Sequence, residues 1–125
     1  MSEITICRRF KIDAAHWLPN HEGACANLHG HRWFIDIEIT GPVQTSGPEA
    51  GMVIDFKRLN AIVQEILDDY DHHCLNDIIE NPTAENICHN LAIWLKLRLS
   101  EKSNLDISLK SIKVWETEDS WAQWS

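Results

Sequence analysis

The sequence predicts an α+β domain, an antiparallel sheet with two helices packed on one face. Three observations carry that prediction. Two stretches near the start alternate apolar and polar residues with a period of two. Two later stretches repeat apolar residues at helical spacing, and a last alternating stretch follows them.

The first strand covers about Ile4 to His16. Ile4, Ile6, Phe10, Ile12, Ala14 and His16 share one phase, interrupted only by Arg8. The second covers about His31 to Thr40. There Trp33, Ile35, Ile37 and Ile39 continue the phase of His29 and His31, while Arg32, Asp36, Glu38 and Thr40 take the other, with Phe34 the exception. Successive strand side chains point to opposite faces, so each strand has one buried face. Between them, Trp17 to Gly30 contains Pro19, Asn20, Gly23 and Asn27 and reads as a loop carrying Cys25. Gly41 to Gly51 is a turn-rich exposed connection, and Met52-Val53-Ile54 reads as a short apolar strand or strand end.

Asp55 fits a helix N-cap, its carboxylate able to accept a free first-turn amide. Leu59, Ile62, Val63, Ile66, Leu67 and Tyr70 follow at helical spacing, so the helix runs to about Asp69. Asp71 to Asp77 is a polar loop. Asn81-Pro82-Thr83 starts the second helix, with Thr83 as N-cap and Glu85 near the positive helix end. Its buried stripe is Ile87, Leu91, Trp94 and Leu95, with Cys88 and Ala92 beside it, and it ends near Ser100. Ser103 to Asp106 is a turn. The last strand covers about Lys110 to Thr117, with Ile112 and Val114 facing inward and Glu116 in their phase. An inward carboxylate needs a partner, because burying it alone is costly.

A chain of 125 residues with 44% hydrophobic content suits one domain with a real core. Its cysteines, at positions 7, 25, 74 and 88, form no C-x-x-C pair and no disulfide framework. Reduced thiols in a cytoplasmic protein are the expectation. The start lacks the long apolar core of a signal peptide, and no apolar run reaches membrane-spanning length. A net charge of −8 argues against nucleic-acid binding. An anionic substrate would need a local basic cluster. Arg8, Arg9 and Lys11 are one candidate, Lys110 and Lys113 another; both also read as ordinary solvated surface.

His16, His29, His31 and Cys25 fall within sixteen positions. The strand phases bring all three imidazoles to the apolar face. A lone histidine there is ordinarily a satisfied core residue. Three that converge suit a zinc ion, with a fourth position for water or substrate. Cys25 fits three roles: a fourth ligand closing a structural site, a free thiol near the metal acting as base or nucleophile, or a passive loop residue. Asp71-His72 follows a helix C-terminus, where a cation is favoured by the helix dipole. It also fits a carboxylate-oriented imidazole that moves a proton, a role His73 shares on chemistry alone.

Six ordered motifs extend over nearly the whole chain. They are Ala14-Ala15-His16, Cys25-x-x-x-His29-Gly30-His31, Gly51 to Phe56, Asp71 to Asn76, Asn81 to Asn86 and Trp115-Glu116-Thr117. Together they resemble the 6-pyruvoyl-tetrahydropterin synthase superfamily, most closely its bacterial 6-carboxy-tetrahydropterin synthase branch of queuosine biosynthesis. The resemblance implies a tunnelling fold: a four-stranded antiparallel sheet with two helices, assembled through its sheet edges into a homo-oligomer, a hexamer built as a dimer of trimers. It implies His16, His29 and His31 as zinc ligands, Cys25 as general base, and Asp71 and His72 as its proton relay. Glu116 would hold the pterin's amino-pyrimidine ring and count with the catalytic set, and Thr83 and Glu85 would line that pocket. The implied substrate is 7,8-dihydroneopterin triphosphate. The carboxy-forming branch releases acetaldehyde and triphosphate; the pyruvoyl-forming branch eliminates triphosphate only. The chain departs from the pattern at Cys74 and in its tail, Glu118 to Ser125. A reading of another class is a non-catalytic protein whose zinc is structural, held by one cysteine and three histidines. A metal hydrolase has no support, since no H-E-x-x-H helix is present.

Overall fold

The computed structural model describes residues 2–125. Two long strands, β1 (Glu3–His16) and β2 (His29–Pro42), pair antiparallel with unbroken register. Ile12 stands opposite Trp33, Ala14 opposite His31 and His16 opposite His29. The two strand ends therefore carry their imidazoles to one corner of the sheet. β3 (Ser108–Thr117) pairs with β2, and β4 (Ser120–Trp124) pairs with β3. The sheet order is β1-β2-β3-β4, all antiparallel.

The helices are α1 (Phe56–Leu67) and α2 (Ala84–Ser103). Both start at the expected caps. Asp55 accepts the amide of Lys57, and Thr83 accepts that of Asn86. α2 packs on β3, β4 and α1. Ile12, Trp33, Ile35, Ile37, Ile39, Ile112 and Val114 from the sheet meet Leu59, Ile62, Val63, Leu91 and Leu95 from the helices in one core. Fully burying each such aliphatic side chain contributes about 1.5–3 kcal/mol. Cys88 belongs to this core and acts as filler. Burial raises its thiol pKa to about 11.

Three expectations change. Met52-Val53-Ile54 is no strand. Val53 and Ile54 are buried as the apolar plug of an ordered loop, whose closure is the bond from Gln44 N to Met52 O at 2.9 Å. A short apolar run has no period that separates strand from plug. The fourth strand lies instead in the tail, where Glu118-Asp119 turns the chain back so that Val114 faces Ala122 and Trp115 faces Trp121. Trp94 is not buried: it is 46% exposed. It sits at the margin of the α2 stripe, in a groove with Ile66, Tyr70 and Ile78.

Arg58 locks the long connection to the helices. It donates to Glu49 Oε1 at 2.6 Å and to the carbonyl of Ser103 at the end of α2. β1 is an outer strand of the sheet, and one end of it is covered. His72 N donates to Asp13 O, Ala15 N donates to His73 O at 3.1 Å, and Cys74 bridges Ala15 in parallel. Among the described residues no helix is long and apolar enough to cross a membrane.

Candidate active site

At the corner where β1 and β2 end, three imidazoles pack around one point. The ring centroids of His16 and His29 are 4.5 Å apart, those of His29 and His31 4.9 Å, and those of His16 and His31 5.2 Å. Trp33, fully buried, forms the floor edge-on to His16 and His31. Its indole N–H donates to Ala14 O at 3.2 Å, which fixes the ring.

The hydrogen bonds set the tautomers. His16 Nδ1 lies 2.8 Å from Pro82 O, and His29 Nδ1 lies 2.7 Å from Asn27 O. A carbonyl only accepts, so each Nδ1 carries the proton and each Nε2 presents a lone pair. Bonds of this kind orient metal-binding histidines. The carbonyl that holds His16 belongs to the Asn81-Pro82-Thr83 start of α2. The helix cap and the imidazole are therefore one unit.

Glu116 enters from β3. Its Oε1 is 3.3 Å from His16 Nε2 and 3.5 Å from His31 Nε2. One donor atom from each of His16, His29, His31 and Glu116 falls within 4.8 Å of the others. His16 Nε2 and His31 Nε2 are buried without a hydrogen-bond partner. Burial, with repulsion from His16 and His29, pushes the His31 pKa below the usual imidazole value against the pull of Glu116. Neutral imidazole is the metal-binding form. Orphaned imidazole nitrogens converging with a carboxylate fit a divalent metal ion.

Glu116 owes its position to a break in the sheet. The β2–β3 ladder ends at Phe34–Trp115, and the β3–β4 register shifts between Trp115 and Thr117. Glu116 is paired in neither ladder. Such irregularities re-aim side chains at functional sites.

The other expected residues stand outside this four-donor group. Asp71 Oδ1 accepts the amide of Asp13 at 2.8 Å and is 3.0 Å from His72 Nδ1. His72 has φ 60, a left-handed backbone that is uncommon outside glycine. The pair stands at the covered end of β1 beside Asp13, whose carboxyl pKa is held low by the Arg32 fork. Cys25 is half-buried in a 3-10 turn, Ala24–Ala26, held by Leu18 N to Cys25 O at 2.8 Å. Among the described residues its thiol makes no hydrogen bond to Asp71 or His72 and stands outside the four-donor group. Thr83 caps α2, and Glu85 is exposed in its first turn.

Sequence reasoning missed the supporting groups. Asn76 grips the backbone of Trp17 with both ends of its amide, at 2.9 and 2.7 Å, and so ties the Cys25 loop to the 71–77 loop. Pro82 supplies a carbonyl, which no residue type advertises. The Asn-Pro-Thr signature was the available signal.

A small α+β scaffold with a three-histidine corner and a carboxylate at its rim defines a class of metal-assisted enzymes. Residues 5–125 match the family model described as 6-pyruvoyl tetrahydropterin synthase, and the chain belongs to that family. It is 38% identical over 116 residues to a 6-carboxy-5,6,7,8-tetrahydropterin synthase of Synechocystis sp., covering 90% of this chain and 85% of the relative. It is 33% identical over 111 residues to a dihydroneopterin monophosphate aldolase of Pyrococcus furiosus, covering 89% and 88%. The solved 6-pyruvoyl tetrahydropterin synthase of Caenorhabditis elegans superposes with a TM-score of 0.81 at 26% identity, covering 99% of this chain and 96% of that one. The tunnelling-fold expectation of four antiparallel strands and two helices holds.

Proposed function

We propose that this chain is a zinc-dependent 6-carboxy-5,6,7,8-tetrahydropterin synthase. It takes 7,8-dihydroneopterin triphosphate to 6-carboxy-tetrahydropterin, acetaldehyde and triphosphate in queuosine biosynthesis, in the cytoplasm. The observation that carries the reading is the convergence of the unpartnered Nε2 atoms of His16 and His31 with His29 and Glu116. The name of the Synechocystis relative supports the product.

His16, His29 and His31 hold the metal, with His16 and His29 kept in register by their Nδ1 bonds to Pro82 O and Asn27 O. Zinc supplies Lewis acidity that makes protons beside the substrate's side-chain hydroxyls easier to remove. Cys25 is the base that takes such a proton. Asp71 and His72, 3.0 Å apart, complete its proton relay. Glu116 accepts two N–H bonds from the amino-pyrimidine edge of the pterin, a pairing that strengthens with the charge on the carboxylate. Thr83 and Glu85 line the ring's pocket from the start of α2. The enzyme is a homo-oligomer, a hexamer made of two trimers, joined through the outer strands β1 and β4. Basic residues of a neighbouring copy help neutralise the triphosphate. The position of the Cys25 thiol outside the donor group speaks against a structural site of one cysteine and three histidines.

The test is incubation with dihydroneopterin triphosphate under reducing, zinc-replete conditions, followed by mass analysis. The expected products are 6-carboxy-tetrahydropterin and acetaldehyde. A pyruvoyl product moves the chain to the other branch. Turnover of dihydroneopterin monophosphate alone moves it to the aldolase chemistry named for the Pyrococcus relative. No pterin product from either substrate overturns the reading.

A further inference from the structure

We infer that Glu116 is the fourth ligand of the metal in the substrate-free protein, and that seating the pterin takes it away. The first half stands on the site's geometry. The second rests on the pterin reading above.

The tautomers carry the argument. His16 has committed its Nδ1 proton to Pro82 O, so its Nε2 offers a lone pair. Yet a carboxylate oxygen of Glu116 stands 3.3 Å from that nitrogen and 3.5 Å from His31 Nε2. Neither contact has hydrogen-bond geometry, and both nitrogens are without partners. His16 is fully buried, so water does not relieve the conflict there. The His16 lone pair and the Glu116 carboxylate are both acceptors, and acceptors that face one another at this distance repel. A divalent cation between them converts that repulsion into coordination. Three imidazoles and one carboxylate make up the four donors a tetrahedral zinc site takes.

A complete four-donor site has no place for substrate, so one donor has to leave. Glu116 is the one that can. His16 and His29 are held by their Nδ1 bonds, and His31 sits within the β1–β2 ladder opposite Ala14. Glu116 belongs to neither ladder of β3, and its side chain is 31% exposed. Among the described residues its carboxylate makes no hydrogen bond that turning would break. The N–H groups of the amino-pyrimidine compete for the same carboxylate. Once they capture it, the fourth position opens for the side-chain hydroxyls. The metal is thus uncovered only when the ring is in place.

The cobalt-substituted protein tests this, because its visible d–d bands report the number and kind of ligands. Glu116→Gln keeps the shape of the side chain and removes the charge. The expected result is an altered d–d spectrum and at least about tenfold weaker metal binding in competition with a chromophoric chelator. Identical spectra and affinities in the two proteins overturn the ligand assignment. Pterin itself, which has the amino-pyrimidine edge and no side chain to react, is then titrated into both, with tryptophan fluorescence reporting binding. The expected result is a spectral shift in the wild type and none in Glu116→Gln. Binding without a shift in the wild type overturns the exchange while leaving the pterin reading intact. No binding at all overturns the pterin reading, and the exchange with it. Circular dichroism of Glu116→Gln checks that the fold is unchanged.

Discussion

His16 donates its Nδ1 proton to the carbonyl of Pro82 over 2.8 Å, so the segment that leads into α2 and the histidine corner are mechanically one piece. Thr83, the next residue, caps that helix by accepting Asn86 N at 3.1 Å. Thr83→Ala should lower stability by about 1 kcal/mol, or roughly 4 °C in Tm. It should also weaken metal binding, because the carbonyl that orients His16 loosens. Thr83→Ser should restore both. Thermal melts and chelator competition on the three proteins check this. A Thr83→Ala protein that melts lower with unchanged metal affinity would separate the cap from the site.

Cys25 should be dispensable for metal and essential for turnover. Its thiol lies outside the group formed by His16, His29, His31 and Glu116. Cys25→Ala is expected to retain full zinc stoichiometry and to form no pterin product. Metal analysis beside product analysis reads both at once. Loss of zinc in this variant would make Cys25 a ligand and end its role as base.

Stripping the metal should leave a folded protein. The core of Phe10, Ile12, Trp33, the β2 isoleucines and the helix stripes is built without the site. Zinc then adds stability by mass action only, about 4 kcal/mol at a thousandfold excess over its Kd. Chelation should lower Tm while preserving the far-ultraviolet signal and a cooperative transition. Unfolding on chelation at room temperature is the opposite outcome, and marks a structural site.

On the outer face of the sheet, Asp36 accepts Arg9 Nε at 2.7 Å, Arg9 Nη2 at 3.0 Å and Trp115 Nε1 at 2.9 Å. The Arg9 bond first, then the Trp115 bond, hold its carboxyl below the usual value of 3.8. A depressed carboxylate contributes stability that is fully present above the unfolded value and lost as pH falls through the folded one. Acid titration should therefore show a loss beginning below about pH 4. Asp36→Asn should flatten that part of the curve and lower stability at pH 7. Equal slopes for the two proteins between pH 5 and 2 would remove Asp36 from the account.

The alternation along β1 and β2 made the histidine corner legible, because a period of two leaves little freedom about which side chains share a face. The same period in β3 puts Glu116 on the face of the histidines. Helix caps were legible for a similar reason, since Asp55 and Thr83 have one local job. What escaped depends on partners distant in sequence. The buried run at Val53 and Ile54 has the composition of a strand, yet it joins none of the four strands of the sheet. Trp94 shares the spacing of Ile87 and Leu91, but how far around α2 the cover extends is decided by α1 and the 75–79 turn. The tail strand needed β3 beside it. The carbonyls of Pro82 and Asn27 were invisible because every residue has one. That Glu116 is paired in neither ladder is a property of β2, β3 and β4 together and not of one segment.

The Asp71–Cys74 segment has a second consequence, through the end of β1 that it covers. Asp13 N is taken by Asp71 Oδ1, Asp13 O by His72 N and Ala15 N by His73 O. Any strand that adds to β1 from outside has to stop before Asp13, whatever its own length. An open fourteen-residue edge would let an incoming strand slide and would invite runaway stacking. The plug turns that edge into a ruler with an end-stop. The same residues that hold a candidate proton carrier thereby set where one copy of the chain can begin to lie against another.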